Sequence, residues 1–335
     1  MRAVQVVAPG KAEFVEAPAP ALKPGCALVR TMLLSLCGSD VHSLHYLPED
    51  TYPLAVGTVG HEMVGVVEAV DAPGSHVKVG DVALTLAPSQ QAMAEYFVAP
   101  VEDVLVLPDG WSLEYLLMAQ QLGTVIYACK RLPNVVGKDA VVIGQGSAGL
   151  HFDAMLRRMG AERVIGLDVK ETRVAAGLQF GATHTVNSAR TDALEAVEEI
   201  TQGRLADLVV EAAGEVETIN LAARLCKTGG HLLYFGVPRA YSFDFDFWTL
   251  FRKYCCVTSS GESASEPGRK SFKMALELIA SGQIDVSPML THRLPFDQVL
   301  YAYRLARTRE DGVIKVVIEM PGYRPSQSLG PVLPA

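Results

Sequence analysis

The fold is decided by the stretch AVVIGQGSAG, residues 140–149. Its first four residues are apolar and predict a buried β-strand, and the next six have the pattern G-x-G-x-x-G. We predict that a helix follows, from about residue 149 to residue 159. A strand, a glycine-rich turn and a helix in this order are typical of a dinucleotide-binding site. The helix N-terminus offers unpaired N–H groups and a positive dipole end to the pyrophosphate.

Each glycine of this pattern has its own predicted role. Gly144 permits the tight turn, Gly146 lets the backbone approach the pyrophosphate, and Gly149 lets the helix and the strand pack closely. Ser147 and Ala148 lie between these glycines, and we count both among the cofactor-binding residues. The alternative interpretation of the same residues is an ordinary turn between a strand and a helix.

The residue at the end of the next predicted strand indicates which of the two dinucleotides, NAD or NADP, is bound. Asp168 ends the strand 163–168, where a carboxylate accepts hydrogen bonds from the ribose hydroxyls of the adenosine. A 2′-phosphate would meet a like charge there, so the sequence favours NAD over NADP. Lys170 and Arg173 lie close by and weaken that preference, and we count Arg173 among the cofactor-binding residues.

The middle of the chain alternates between short apolar strands and helices. This alternation predicts an α/β fold with a doubly wound parallel sheet that carries helices on both faces. We place this cofactor domain at residues 122–261, with a second domain formed by residues 1–121 and 262–335. The predicted strands are 140–143, 163–168, 185–186, 207–211 and 231–235, and the predicted helices are 149–159, 171–180, 189–202 and 216–225.

Composition excludes several classes of partner. The chain has 335 residues, enough for two domains, and a formal net charge of −8, which argues against binding to nucleic acid or to anionic membrane surfaces. No apolar run is long enough to span a bilayer, and we find no signal peptide. Six cysteines without regular spacing suit free thiols in a reducing compartment, so we expect a cytoplasmic protein.

Two short motifs in the first domain contain residue types that bind metal ions. The first is CGSDVH, residues 37–42, and the second is GHE, residues 60–62. Thiolate, imidazole and carboxylate are all good zinc ligands. Each residue alone also has a structural interpretation: Cys37 as a small buried apolar side chain, His61 as a core histidine and Glu62 as a residue on a strand face.

The two motifs, followed in order by the glycine pattern, resemble those of the zinc-containing medium-chain dehydrogenases. The sorbitol and threonine dehydrogenases are the nearest branch, and the resemblance runs from Met1 to about Glu319. It implies a GroES-like mixed β-barrel catalytic domain into which the Rossmann sheet is inserted. It also implies that one catalytic zinc ion is held by Cys37, His61 and Glu62.

The same resemblance implies three catalytic roles on the first motif. Asp40 would orient His61, Ser39 would hydrogen-bond the substrate oxygen, and His42 would pass the proton to solvent. The implied reaction moves hydride between a secondary alcohol, such as a polyol or an amino alcohol, and NAD. The alternatives are a metal-free NAD(P)H-dependent quinone or enone reductase of the same fold, or a non-catalytic NAD-binding protein.

The sequence departs from the family pattern at two places. The family usually has a further cysteine or glutamate before the cofactor domain, and here that position corresponds to Gln120, with Gln121 beside it. Many relatives also carry four cysteines that bind a structural zinc, but residues 83–94 contain none, so we predict no structural zinc.

The resemblance further implies association between copies of the chain. Pairing of sheet edges across a two-fold axis is common in the family, so we expect a homodimer or a homotetramer. The aromatic segment SFDFDFWTLF, residues 242–251, is expected to pack in a core or at an interface. The only other partner we expect is a small-molecule alcohol or ketone.

Overall fold

A computed structural model describes residues 1–87, 89–261 and 263–323. The tail from Pro321 is predicted to be irregular, and from position 324 it lies outside the described residues. The chain divides into two compact units: Met1–Gly123 with the chain from Ala264 onward, and Thr124–Ser263. The predicted cofactor domain, 122–261, is offset by two residues at each end from the second unit.

Strands of the first unit alternate between buried and half-buried positions, which suits a sheet covered mainly on one face. A two-residue turn joins the first pair into an antiparallel hairpin. The strands are β1 (Arg2–Ala8), β2 (Lys11–Glu16), β3 (Cys26–Ser35), β4 (Glu62–Asp71), β5 (Val82–Leu86), β6 (Tyr96–Pro100) and β7 (Val104–Val106). The helices are α1 (Gly38–His45) and α2 (Leu113–Leu117). Helix α3 (Ala119–Cys129) begins in the first unit and ends in the second.

The second unit holds a parallel sheet whose central strands are largely buried, as expected of a sheet that carries helices on its faces. The strands are β8 (Asp139–Ile143), β9 (Arg163–Asp168), β10 (His184–Asn187), β11 (Ala206–Glu211), β12 (Cys226–Tyr234) and β13 (Cys256–Ser259). The helices are α4 (Ser147–Arg158), α5 (Glu171–Gln179), α6 (Ala193–Ile200), α7 (Val216–Leu225) and α8 (Phe247–Arg252). The order β10-β9-β8-β11-β12-β13 confirms the predicted doubly wound sheet.

The chain then returns to the first unit. It adds α9 (Lys270–Ala280), β14 (Leu290–Pro295), α10 (Val299–Thr308) and β15 (Lys315–Glu319). Strand β14 runs parallel to β15, whereas β15, β3, β4, β5 and β7 pair antiparallel in that order, with β6 also paired to β3. The register places Ser35 opposite Glu62 on one side and Val317 on the other. The C-terminal strand therefore lies next to the residues that precede the first metal motif.

Helix starts differ from the predicted ones where a polar cap fixes them. The third helix of the cofactor unit begins at Ala193, not at residue 189, because the Asp192 side chain accepts the N–H groups of Leu194 and Glu195. Helix α4 begins at Ser147, two residues before the predicted start, with Gly146 as its N-cap.

Of the two settings predicted for the aromatic segment, core or interface, the single chain does not provide the core. Phe247, Trp248 and Phe251 lie on α8 with exposed fractions of 61%, 69% and 55%. Neither α8 nor the sixth parallel strand, β13, was predicted. Within the described part of the chain, we find no helix with the length and apolar character that crossing a bilayer requires.

Candidate active site

The first motif forms the start of helix α1. Cys37 is the N-cap residue, and its backbone N–H donates to Asp40 Oδ2 at 2.7 Å. This capping interaction holds the two side chains on one turn of the chain. Cys37 is half-buried and Asp40 is buried, so the thiol and the carboxyl lie at the edge of the core.

The second motif lies just before and at the start of β4. The strand places Glu62 on the buried face of the sheet, and His61 precedes it, half-buried. Gly60 precedes both residues, and a Cβ atom there would lie 3.0 Å from Met93 N. A glycine therefore lets the chain pass close to the neighbouring backbone before it reaches the histidine.

Cys37, His61 and Glu62 form a cluster of potential ligands. One donor atom from each residue lies within 4.8 Å of the donor atoms of the other two. In the part of the chain that the structure describes, this is the one group of three or more such side chains at this spacing. The predicted metal ligands are therefore brought together by the fold.

Asp40 connects two members of this cluster. Its Oδ1 lies 3.3 Å from His61 Nδ1, while its Oδ2 accepts the Cys37 N–H group. Burial lowers the pKa of His61, but the charge of Asp40 and hydrogen bonds to Asp40 and Cys37 outweigh burial and hold that pKa well above its ordinary value. A carboxylate behind Nδ1 leaves Nε2 as the nitrogen that can face a metal ion.

Glu62 is held by two residues that the sequence analysis did not assign to the site. Its Oε2 lies 2.6 Å from Lys315 Nζ and accepts a hydrogen bond from Ser35 Oγ. Glu62 and Lys315 both have an exposed fraction of 0%, so this is a fully buried ion pair. Glu62 Oε1 is buried and has no hydrogen-bond partner in the described residues, which leaves it available to a cation.

The surroundings of Cys37 favour the thiolate. Burial and the charge of Glu62 raise the pKa of the Cys37 thiol, but the hydrogen bond to His61 and the charge of Lys315 outweigh them, so the pKa is lowered. A thiolate, an imidazole nitrogen and an unpartnered carboxylate oxygen are the donors that zinc prefers. The residues present therefore fit a zinc ion.

The glycine turn of the second unit leaves room for a ligand at one position only. A Cβ atom on Gly149 would lie 1.8 Å from Gly144 O, and one on Gly144 would lie 3.0 Å from Ala213 Cβ. A Cβ atom on Gly146 would meet only Arg173 Nη1, at 3.5 Å. Since Gly146 caps α4 without a side-chain hydrogen bond, the N–H groups of Ser147 and the residues after it face this open space.

Asp168 lies at the carboxyl end of β9, beside this turn. Its Oδ2 accepts the N–H group of Gln145 at 2.8 Å, and its Oδ1 accepts that of Lys170 at 2.9 Å. The carboxylate is half-buried, so it retains acceptor capacity on its open side. The turn and the following strand therefore place a fixed negative charge next to a helix N-terminus, which fits a dinucleotide.

Comparison with known proteins matches both units. A family model described as alcohol dehydrogenase GroES-like domain matches residues 23–109, and one described as zinc-binding dehydrogenase matches residues 149–281. Together they cover more than half of the chain. The chain belongs to the zinc-containing alcohol dehydrogenase superfamily. The expected pairing of a GroES-like domain with a Rossmann sheet is confirmed.

Individual members of this superfamily align over nearly the whole chain. An alcohol dehydrogenase of Cupriavidus necator is 27% identical, with 95% of this chain and 98% of the relative covered. Sorbitol dehydrogenase 1 of Saccharomyces cerevisiae is also 27% identical, covering 93% and 96%. The solved structure of alcohol dehydrogenase TADH from Thermus sp. ATN1 is 25% identical, covers 96% of this chain and all of its own, and superposes with a TM-score of 0.79.

Two further residues of this dehydrogenase were assigned from the first motif. Ser39 and His42 both lie on α1, three residues apart and both half-buried, so they share one face of the helix. The His42 ring stacks on Tyr46 with ring centroids 6.2 Å apart, and the Arg307 guanidinium lies over the Tyr46 ring at 5.8 Å. The histidine ring is thereby supported from the next turn of the helix.

Gln121 contacts the metal cluster. Both residues are buried at the start of α3, and the Gln121 Nε2–H group donates to Cys37 Sγ at 3.4 Å. A shift of one residue turns a helical side chain by about 100°, so the two glutamines point in different directions. Neither Gln121 nor Lys315 forms a motif by itself, and only the fold brings them to the cluster.

Proposed function

We propose that this chain is an NAD-dependent, zinc-dependent dehydrogenase that oxidises a secondary alcohol, such as a polyol or an amino alcohol, to a ketone. The observation that carries the proposal is the cluster of Cys37, His61 and Glu62, whose donor atoms lie within 4.8 Å of one another. The relatives that align over most of their length, an alcohol dehydrogenase and a sorbitol dehydrogenase, support the reaction class.

These three side chains would hold one catalytic zinc ion. When bound, zinc acts as a Lewis acid that makes an alcohol hydroxyl more acidic. Asp40 fixes the orientation of His61, and Lys315 and Ser35 fix Glu62 so that its Oε1 is presented. Residues 83–94 contain no cysteine, which supports a single ion and no structural zinc.

The proton of the alcohol would leave through α1. Ser39 accepts the proton from the substrate hydroxyl as it donates its own to His42, and the half-buried His42 releases it to solvent. The helix holds the two groups at a fixed spacing, so they act in sequence without moving the backbone.

The second unit would bind NAD, which accepts the hydride when it is bound. The open space over Gly146 suits the pyrophosphate, and Asp168 favours a free ribose 2′-hydroxyl over a 2′-phosphate. Arg173 Nη1 lies beside the same space and would offset phosphate charge. The proposed cofactor-binding residues are Gly144, Gly146, Ser147, Ala148, Gly149, Asp168 and Arg173.

We also propose that the protein is a homodimer or a homotetramer. Strand β13 is an outer strand of its sheet, and Val257 on it is 48% exposed. The exposed aromatic face of α8 belongs to the same unit. An exposed sheet edge together with an exposed apolar surface is a feature that proteins usually cover.

A cytoplasmic location is part of the proposal. The cysteines of the described residues are all free thiols, which suits a reducing compartment. The net charge of −8 supports a small-molecule substrate and no nucleic acid.

The direct test is NADH formation, followed by absorbance, with polyols, amino alcohols and aromatic secondary alcohols as substrates. We expect turnover with NAD, and a loss of at least about a thousandfold in Cys37→Ser, because the loss of a metal ligand removes the Lewis acid. Cys26→Ser is the control, since Cys26 lies at the start of β3 and outside the cluster. Full activity in Cys37→Ser, or reduction of quinones by metal-free protein, would contradict the proposal.

A further inference from the structure

Gln121 contacts the candidate metal cluster with one end of its amide. The side chain is 4% exposed, and its Nε2–H group donates to Cys37 Sγ at 3.4 Å. An electron-rich sulfur repels the amide oxygen and attracts the amide hydrogens, so this contact fixes which end of the amide faces Cys37.

The other end of the amide has no partner. Gln121 Oε1 is buried from solvent and accepts no hydrogen bond from any described residue. Because both ends of an amide share one carbon atom, Oε1 lies beside the same cluster as Nε2. A buried carbonyl oxygen without a donor is unfavourable and rare in folded proteins, so this oxygen indicates a donor that comes from a ligand.

No described donor around the cluster reaches Gln121 Oε1. Lys315 and Ser35 both bind Glu62 Oε2, and His61 Nδ1 faces Asp40. The remaining groups of the cluster, the Cys37 sulfur and Glu62 Oε1, are acceptors in the state that binds a metal ion. Gln121 Oε1 is therefore open to a donor on a bound ligand.

We propose that Gln121 determines substrate specificity: its Oε1 accepts a hydrogen bond from a second donor on the alcohol, a hydroxyl or amino group on the carbon next to the one oxidised. This inference rests on the proposed function, since the metal ion positions the first hydroxyl beside Cys37. A monohydric alcohol leaves Oε1 unpaired, whereas a vicinal diol or amino alcohol satisfies it. A site built around a buried acceptor rejects ligands that lack the matching donor.

The test compares two ligands with the same carbon skeleton, 2,3-butanediol and 2-butanol. Each is titrated into cobalt-substituted protein without NAD, so that binding is followed by the cobalt spectrum and no turnover occurs. We expect the wild type to bind the diol about tenfold more tightly than 2-butanol, the effect of one hydrogen bond to a buried acceptor. Gln121→Leu and the length-matched Gln121→Met should bind both alcohols equally, whereas Gln283→Leu, at an exposed position, should keep the preference.

The same spectra report the contact with Cys37. Loss of the N–H···S hydrogen bond leaves the thiolate richer in electrons, so its charge-transfer band to cobalt should move to lower energy in both Gln121 variants and not in Gln283→Leu. A diol preference that survives in the Gln121 variants would overturn the inference while leaving the proposed function intact. A protein that takes up neither cobalt nor zinc would overturn the proposed function and the inference with it.

Discussion

At the scale of single residues, charge balance decides how the candidate site is built. Glu62 and Lys315 are both fully buried, and each is acceptable there only because the other neutralises it. The pair leaves one carboxylate oxygen, Oε1, unpartnered beside Cys37 and His61. The ion pair therefore positions Glu62 as a potential metal ligand and also stabilises the sheet.

Removal of Lys315 should show that the protein's stability depends on the partner of the buried Glu62 carboxylate. Lys315→Met leaves Glu62 as an unpaired buried charge, so we expect the metal-free protein to lose about 3 to 5 kcal/mol of unfolding free energy in urea. Glu62→Gln added to Lys315→Met should restore most of that loss, because both charges are then gone. An unchanged urea midpoint in Lys315→Met would show that the pair contributes nothing to stability.

A second buried charge lies in the cofactor unit. Asp153 on α4 is fully buried, and burial raises the pKa of its carboxyl well above the ordinary value, with the Gln145 amide offsetting part of the effect. Because the pKa in the folded protein is above that in the unfolded chain, the contribution to stability is complete below about pH 4. That contribution is lost as the pH rises through the folded pKa.

The Asp153→Asn variant has no ionisable group at this position, so it should not lose this contribution to stability as the pH rises. Relative to the wild type, its unfolding free energy should rise with pH above about pH 4, by up to about 1.4 kcal/mol per pH unit, until the folded pKa is passed. Urea unfolding at about pH 5 and about pH 8 measures the difference, with the exposed Asp109→Asn as the control. A difference that is the same at both pH values would contradict the assignment.

The sequence identified the residues that belong to short motifs and missed those that do not. Cys37, His61 and Glu62 were chosen because their donor types occur in two compact patterns, and the fold brings them together. Lys315 is more than 200 residues from Glu62 in sequence and reaches it only because β15 pairs with β3 and β3 with β4. Side-chain proximity created by strand register is not visible in a single sequence.

At the scale of elements, the glycines in the strand–turn–helix of the cofactor unit have two separate roles, one in packing and one in cofactor binding. Gly149 is needed for packing, since a Cβ atom there would lie 1.8 Å from Gly144 O. Gly146 is not needed for packing, since the nearest atom to a Cβ atom at this position is Arg173 Nη1, at 3.5 Å. The two glycines should therefore respond differently to the same substitution.

Gly149→Ala should destabilise the fold, whereas Gly146→Ala should weaken NAD binding in a stable protein. We expect Gly149→Ala to lose about 1 to 3 kcal/mol or more by overpacking, and Gly146→Ala to lose about 1 kcal/mol or less. Calorimetric titration with NADH should show at least about tenfold weaker binding in Gly146→Ala, because its methyl group fills the space for the pyrophosphate. Tight NADH binding by Gly146→Ala would place the pyrophosphate elsewhere.

Elements with strong periodicity were predicted well, and the others were not. The parallel sheet from β8 to β12 and helix α7 follow from alternating apolar runs, and α7 was predicted at its observed bounds. Strand β13 was missed because its four residues are largely exposed and give no apolar run. The aromatic residues of α8 suggested a core or an interface, because apolar character alone does not say whether a helix is covered by its own chain.

At the scale of the whole molecule, the second unit exposes an apolar surface that a single chain leaves uncovered. Trp248 and Tyr254 are each 69% exposed, and Val257 lies on the outer strand β13. Exposed apolar surface next to a free strand edge favours association of identical chains.

Light scattering should therefore give at least twice the mass of one chain. The double variant Trp248→Lys with Val257→Lys should give the mass of a single chain, because like charges at the interface would be buried without partners. Val136→Lys is the matched control, since Val136 is 64% exposed in the same unit but away from β13. A wild-type protein that scatters as one chain would contradict the homo-oligomer.

The central claim is that this chain holds zinc through Cys37, His61 and Glu62. Elemental analysis of protein purified without added metal tests it most directly. We expect about one zinc ion per chain in the wild type and in Cys26→Ser, and about a tenth of that or less in Cys37→Ser and His61→Ala. A wild-type protein without zinc, or variants that retain the full content, would contradict the claim.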